Sequence, residues 1–187
     1  KGTSQNYPEA ARWYQRSAAK GFAQSQYRLG TLYERGLGVP QDLARARVWY
    51  GRAAEQGNVK AMHNLAVLAA GSESDADYGT ALRWFTEAAE HGLADSQFNL
   101  GVLYENGLGV TENPAEAYKW YSLAEKGGDA DAGRLRKALG ARMHALERAK
   151  AERTVENFRA RPHDRLANDA LAAGEDWKRR AEGGTNT

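Results

Sequence analysis

The apolar positions of this chain are spaced as on helices, and the spacing itself repeats. Ala10, Trp13, Tyr14, Ser17 and Ala18 fall at i, i+3, i+4, i+7 and i+8, one face of an α-helix. Past Gly21 a second helical face runs through Ser25, Leu29, Leu32 and Tyr33, and it returns as Ser96, Leu100, Leu103 and Tyr104. A tryptophan followed by another aromatic marks the period: Trp13-Tyr14, Trp49-Tyr50, Trp84-Phe85 and Trp120-Tyr121 are 36, 35 and 36 residues apart. Ala10, Ala46, Ala81 and Ala117 stand three residues before each tryptophan, and Gly21, Gly57, Gly92 and Gly128 eight residues after it. A period of this length belongs to stacked arrays, in which each unit buries its apolar face against its neighbours. One tryptophan per unit is then expected to be a packing element and not part of an active site.

Each unit reads as two helices, A and B, joined at the recurring glycine, where a residue without Cβ takes the left-handed conformation that ends a helix. Gly30 and Gly101 fall inside helix B. A mid-helix glycine costs about 1 kcal/mol relative to alanine, so its recurrence predicts the close approach of a neighbouring helix. Helix B closes into Gly36-Leu37-Gly38-Val39 and Gly107-Leu108-Gly109-Val110, followed by polar residues that can start the next helix A. These are turns between repeats, since the strand, lysine and Ser/Thr context of a phosphate loop is missing.

The combined pattern, A-x-x-W-Y-x-x-A-A-x-x-G and then A-x-x-x-L-G-x-x-Y-x-x-G-x-G-V, resembles the Sel1-like repeat, a relative of the tetratricopeptide repeat. The resemblance implies an all-α, right-handed α-solenoid of four helix-turn-helix repeats with a C-terminal capping helix. Its expected parts are the closing turn of a preceding repeat in 1–6, repeats in 7–42, 43–77 and 78–113, a terminal repeat with a long capping helix in 114–160, and an irregular tail in 161–187. The second repeat departs from the pattern: Ala69 stands where the first and third have Tyr33 and Tyr104, and its turn from Gly71 to Asp77 is one residue shorter and acidic. It is expected to be the weakest link. Aligned on the tryptophan, Gly2-Thr3-Ser4-Gln5-Asn6 falls opposite Gly109-Val110-Thr111-Glu112-Asn113, so the chain is expected to open inside the turn of an earlier repeat.

Between Asp129 and Ala160 there is no proline, and Leu135, Leu139, Met143, Leu146, Ala149 and Val155 form a partial apolar stripe. One long helix is expected, or two joined near Gly140. Arg161-Pro162 ends it, and the remainder is expected to lie back irregularly on the array with Trp177 as anchor. This tail resembles the segment after the Sel1 repeats in polar localization proteins of the PodJ type, through Val155, Phe158, Arg161-Pro162, Asp164, Ala167-Asn168 and Trp177. That resemblance implies a place on the periplasmic side of a bacterial inner-membrane protein.

Composition narrows the chemistry. Among 187 residues there is no cysteine, which removes disulfides, thiolate metal sites and thiol catalysis. No apolar run approaches 18 residues, so no membrane contact is expected of this segment. A net charge of +2 argues against a nucleic-acid binder. Residues 1–133 hold 13 basic against 16 acidic side chains and residues 134–187 hold 13 against 8, which places the basic charge in the tail. His63, His91, His144 and His163 are scattered, no serine stands in a Gly-x-Ser-x-Gly setting, and the carboxylates are distributed as on solvated helix faces. No catalytic residue, metal site or cofactor is expected.

Binding remains, because stacked helix pairs line an extended surface with helix A. Immediately before the tryptophans stand Arg12, Val48, Arg83 and Lys119, and three residues after them Arg16, Arg52, Glu87 and Leu123. Arg12, Arg16, Arg52, Arg83 and Lys119 would make a cationic stripe for an acidic peptide, a carboxylate terminus or an anionic glycan. As merely solvated side chains they would be expected to have acidic i,i+4 partners, whereas Arg12 and Arg16 are like-charged at that spacing. Asn64 and Asn99 read either as ligand-binding amides or as structural hydrogen bonders. Val48, Met62 and Val67 are apolar near surface positions of the second repeat and mark a partner patch or tighter packing. The expected function is a non-catalytic scaffold for an acidic protein or peptide partner, in a cell-pole localization factor. The alternatives are a periplasmic peptidoglycan-binding or peptidoglycan-modifying accessory module, or a cytoplasmic adaptor.

Overall fold

The structure, a computed structural model, describes residues 6–71 and 76–175, and their regular structure is entirely helical. Polar residues decide where helix A begins. Seven positions before each tryptophan stands Asn6, Asp42, Asp77 or Asn113, and each accepts a hydrogen bond from the backbone N–H three residues on, at 3.2, 2.9, 2.9 and 3.1 Å. The helices started in this way are α1 (Tyr7–Ala19), α3 (Leu43–Glu55), α5 (Tyr78–Glu90) and α7 (Pro114–Lys126). Their B partners are α2 (Ala23–Arg35), α4 (Val59–Ala70), α6 (Ala94–Asn106) and α8 (Ala130–Arg142). Gly21, Gly57, Gly92 and Gly128, which join A to B, all take positive φ as the pattern predicts.

The chain divides into two compact units, residues 1–65 with 163–187 and residues 66–162, and α4 is shared between them. In the first, α2 packs on both α1 and α3. Alanines at the seams, with Ala46 and Ala53 fully buried, let the helix backbones approach. The closing turn is tied by the N–H of Asp42, which donates to the Tyr33 carbonyl at 2.9 Å. Gly38 has φ 72°, and a Cβ there would strike the backbone of Tyr7 and Pro8, so the position requires glycine twice over.

The second unit repeats these devices. Asn113 N–H donates to the Tyr104 carbonyl at 2.9 Å, and Gly109, with φ 69°, faces the backbone of Tyr78. Asp77 N–H donates to the Ala69 carbonyl at the same 2.9 Å, so the second repeat keeps its closing bond although its tyrosine is gone. Residues 72–75 of that turn lie outside the described residues.

After α8 the structure decides between the two expected arrangements: there is no single long helix, and two helices join near Gly140, at Met143-His144. Met143 and His144 are extended, and α9 (Ala145–Asn157) starts beyond them. Gly140 lies inside α8, where a Cβ would come within 2.8 Å of the Tyr118 ring, so it provides room and not a joint. α7 packs on α8 and α9, enclosing a core of Ala117, Tyr118, Tyr121, Ala124, Leu139 and Ala151.

The tail is also more ordered than expected. Residues 165–168 form α10 (Arg165–Asn168), and the chain is helical again over 170–175. Within the first unit Asn168 Nδ2 donates to the Gly57 carbonyl and Val59 N–H donates to Asn168 Oδ1, both at 2.8 Å, while Asn58 Nδ2 donates to the Ala167 carbonyl. Asn58 is itself buried and caps α4 through the N–H of Ala61 at 2.8 Å. The observed anchor is therefore Ala167-Asn168, and Trp177 lies outside the described residues.

Candidate functional site

Each repeat places one cation over its tryptophan. In the first unit the Arg16 guanidinium lies 5.7 Å from the Trp13 ring centroid and that of Arg52 lies 4.7 Å from Trp49. In the second unit Arg83 lies 4.8 Å from Trp84 and Lys119 Nζ 4.3 Å from Trp120. The cation comes from the position three after tryptophan in the first two repeats. Where that position holds Glu87 or Leu123, it comes from the position just before. Such contacts contribute about 0.5–1 kcal/mol when exposed and more when desolvated. Four of the five stripe cations are thus held on rings, and the fifth, Arg12, is exposed.

The tryptophans themselves are unequal. Trp120 is 4% exposed, with Phe158 packed edge-on at 6.0 Å, and Trp84 is buried. Trp13 is 61% exposed and Trp49 is half-buried. As a packing element the repeat tryptophan holds for Trp84 and Trp120 and fails for Trp13. Glu87, where a stripe arginine would stand, pairs with the Arg161 guanidinium at 3.3 Å; Arg161 also bridges to Glu90, and its N–H donates to the Glu90 carbonyl at 2.8 Å.

The glycines inside helix B are explained by the residue after the tryptophan. A Cβ on Gly30 would lie 2.6 Å from the Tyr50 ring, and one on Gly101 would lie 2.6 Å from the Tyr121 ring. One turn along helix B a carboxylate accepts a hydrogen bond from the phenol. Tyr50 donates to Glu34 at 2.5 Å, and Tyr121 donates to Glu105 at 2.8 Å. Burial, reinforced by that carboxylate, pushes both phenols well above the ordinary value near 10. The second repeat has Ala66 and Ala70 at the glycine and glutamate positions, and the residue after Trp84 is Phe85, which has no hydroxyl to donate. Acceptor and donor disappear together.

Asn64 and Asn99 follow the same logic. Asn64 hydrogen-bonds the Tyr50 hydroxyl, whereas Asn99, in the repeat that has Phe85, turns back to the Asp95 carbonyl at 2.9 Å. Both read as structural amides. Val48 and Val67 are exposed and Met62 is buried, so the apolar positions of the second repeat do not share one setting. In the second unit a groove beside Tyr118 holds Arg136 between Glu125 at 2.5 Å and the Tyr118 hydroxyl at 3.1 Å, and the guanidinium draws the Glu125 carboxyl below its usual range. This is a satisfied ionic network. Among the described residues no cluster of His, Asp or Glu is placed to hold a metal ion, and no helix is long and apolar enough to cross a membrane.

The Sel1 repeat family model matches residues 1–22, 23–58, 59–93 and 94–129. The chain belongs to the Sel1 repeat family. The last three matched segments each run from a helix B through the next helix A, and two of them, 23–58 and 94–129, frame the Tyr50 and Tyr121 junctions. A Sel1 repeat protein from Oxalobacter formigenes has a solved structure with TM-score 0.68 and 31% identity, over 84% of this chain and 68% of that one. A protective antigen present in uropathogenic Escherichia coli strains, with an SLR fold, gives TM-score 0.70 and 31% identity over 89% of this chain, which spans 36% of the antigen. Comparison with curated protein sequences gives no match. The all-helical solenoid fold follows from these likenesses, and Sel1 repeats as a class mediate protein–protein interaction.

Proposed function

We propose that this Sel1 chain is a non-catalytic interaction scaffold for an acidic peptide, on the periplasmic side of a bacterial inner-membrane protein that localizes to the cell pole. The Trp13–Arg16 pair carries the binding reading. It couples an exposed tryptophan to an arginine, the residue types that dominate binding hot spots, and a guanidinium stacked on a ring keeps its edge N–H groups for a carboxylate. Arg12 lies one turn away on α1, Arg52 repeats the pairing on the half-buried ring of Trp49, and Arg83 and Lys119 lie over the buried rings of Trp84 and Trp120.

The cell-pole reading is supported by the tail, whose matching residues have positions of consequence in this fold. Phe158 packs on Trp120, Arg161 pairs with Glu87, and Ala167-Asn168 bind the turn at Gly57-Asn58.

The test is a pull-down with the purified segment from a periplasmic extract, run beside peptidoglycan sedimentation. Replacing Arg12, Arg16, Arg52 and Arg83 by serine should abolish capture while the fold survives, since exposed charges contribute little to stability. Capture should weaken with salt, because exposed charges are screened over about 8–10 Å at physiological ionic strength. Cosedimentation with peptidoglycan in place of protein capture overturns the scaffold reading in favour of the accessory module. Uniform distribution of a fluorescent fusion of the whole gene product overturns the polar one.

A further inference from the structure

Glu87 and Glu90 set the third repeat apart from the others. The matching positions hold Arg16 and Ala19, Arg52 and Glu55, and Leu123 and Lys126, so a pair of carboxylates occurs there once. Glu90 also closes α5, whose last carbonyls have no partner inside the helix and carry its partial negative charge. Within the second unit the segment after α9 lies on this end. Phe158 is extended and meets the Trp120 ring edge-on at 6.0 Å, and the Ala160 methyl stands 3.1 Å from where a Cβ on Gly92 would be. Arg161 is held by every polar group it has. Its N–H donates to the Glu90 carbonyl at 2.8 Å, its carbonyl accepts from His91 Nδ1 at 3.1 Å, and its guanidinium pairs with Glu87 at 3.3 Å and with Glu90.

We propose that this face is a receptor for an extended segment carrying an aromatic residue, two spacer residues and an arginine, that the tail of the chain is its built-in occupant, and that a partner protein presenting the same pattern replaces the tail. The receptor uses none of the stripe cations and stands apart from the reading above. The first argument is the mode of contact: main-chain hydrogen bonds fix an extended segment while separate side-chain sites select its residues, as in peptide recognition. Between the two selected residues, Arg159 donates to the carbonyls of Glu156 and Phe158 within its own segment and is exposed. The second argument is charge, since two carboxylates and a helix C-terminus converge on one guanidinium.

Two observations favour exchange over a permanent cover. The ion pair to Glu87 is open to water, with the two side chains 55% and 42% exposed, and exposed pairs contribute little to stability. The indole N–H of Trp120, a residue 4% exposed, finds no hydrogen-bond acceptor among the described residues. The tail thus leaves a buried donor unpaired, and a segment that brings an acceptor to that indole gains over it. A second copy offers the same tail and would gain only what it gives up, which favours a partner protein.

The opened receptor is the full chain with Phe158→Ala and Arg161→Ala, and the probe is a labelled, capped peptide of residues 156–162, titrated by fluorescence anisotropy. Saturable one-to-one binding to the opened chain is expected. Binding to the unmodified chain should be roughly tenfold weaker or more, because its tethered tail competes at high effective concentration. Glu87→Gln with Glu90→Gln in the opened chain, or Arg161→Ala in the peptide, should each weaken binding about tenfold, and together little more than either alone, since they remove the same ion pairs. An unchanged circular-dichroism melt will show that the opened chain is folded; if it is not, Arg161→Ala alone takes its place. Absence of binding to the folded opened chain, equal binding of the Arg161→Ala peptide, or equal binding to the unmodified chain overturns the proposal. So does a dimer of the unmodified chain that Arg161→Ala dissociates, because the tail would then be exchanged between copies.

Discussion

A glycine in the middle of a helix is normally a cost, and here the neighbouring ring decides the sign. Gly30 and Gly101 sit under Tyr50 and Tyr121, so alanine at either should destabilise by about 1–3 kcal/mol through overpacking, in spite of its better helix propensity. Gly51 is also inside a helix, but nothing lies within 4 Å of where its Cβ would be. Gly51→Ala should therefore stabilise by about 0.5–1 kcal/mol. Chemical denaturation of the three variants checks the contrast, and a destabilised Gly51→Ala would refute it. The sequence shows that something approaches Gly30 and Gly101. It does not show what approaches, because the ring arrives from a helix about twenty residues further on. The cation–tryptophan pairs are legible only in part for a related reason: the cation stands at +3 in two repeats and at −1 in the other two, so no single register contains all four.

The same tyrosines set a pH limit. The folded state holds both phenols above their ordinary value near 10, which means that it favours the neutral form. The stability this represents is fully present below about pH 10 and is lost as pH rises from there through the folded values. Denaturation midpoints should fall between pH 10 and pH 11, and Tyr50→Phe should lessen that fall while lowering stability at pH 7. An unchanged alkaline slope in Tyr50→Phe would show that the phenol is not the group responsible.

At the scale of elements, the second repeat differs in kind from its neighbours. Its closing bond from Asp77 to Ala69 is as short as the corresponding two, so the shortened turn does not weaken it there. What it lacks is the half-buried carboxylate partner, since Ala70 stands where Glu34 and Glu105 accept a hydrogen bond from a phenol. Amide exchange should consequently be faster over 66–71 than over 101–106, and equal protection would remove the distinction. The starts of helix A were available in the sequence as Asn6, Asp42, Asp77 and Asn113, a capping residue seven positions before every tryptophan. The end of α8 was not available in that way. Gly140 looks like a breaker in one dimension, and only the ring of Tyr118 against it shows that the helix continues.

At the scale of the whole molecule, the chain returns on itself: Asn168 closes on a turn 111 residues earlier, at Gly57. No local pattern contains such a contact, and this is why the sequence pointed to a tail lying back on the array but named Trp177, outside the described residues, as its anchor and not Asn168. The tail residues that make it belong to the first unit, and the segment up to Pro162 belongs to the second. The two parts of the tail should therefore matter to different halves of the protein. Asn168→Ala removes one donor and one acceptor from Gly57 and Val59, and each buried group left unpaired costs about 1–3 kcal/mol. Its effect on amide exchange should fall on residues 57–62, while the core around Tyr118 and Leu139 keeps its protection. Phe158→Ala should do the reverse, uncovering Trp120 and leaving the turn at 57–59 unchanged. If both variants loosened both regions alike, the division into two units would have no energetic meaning, and the chain would have to be treated as one cooperative body.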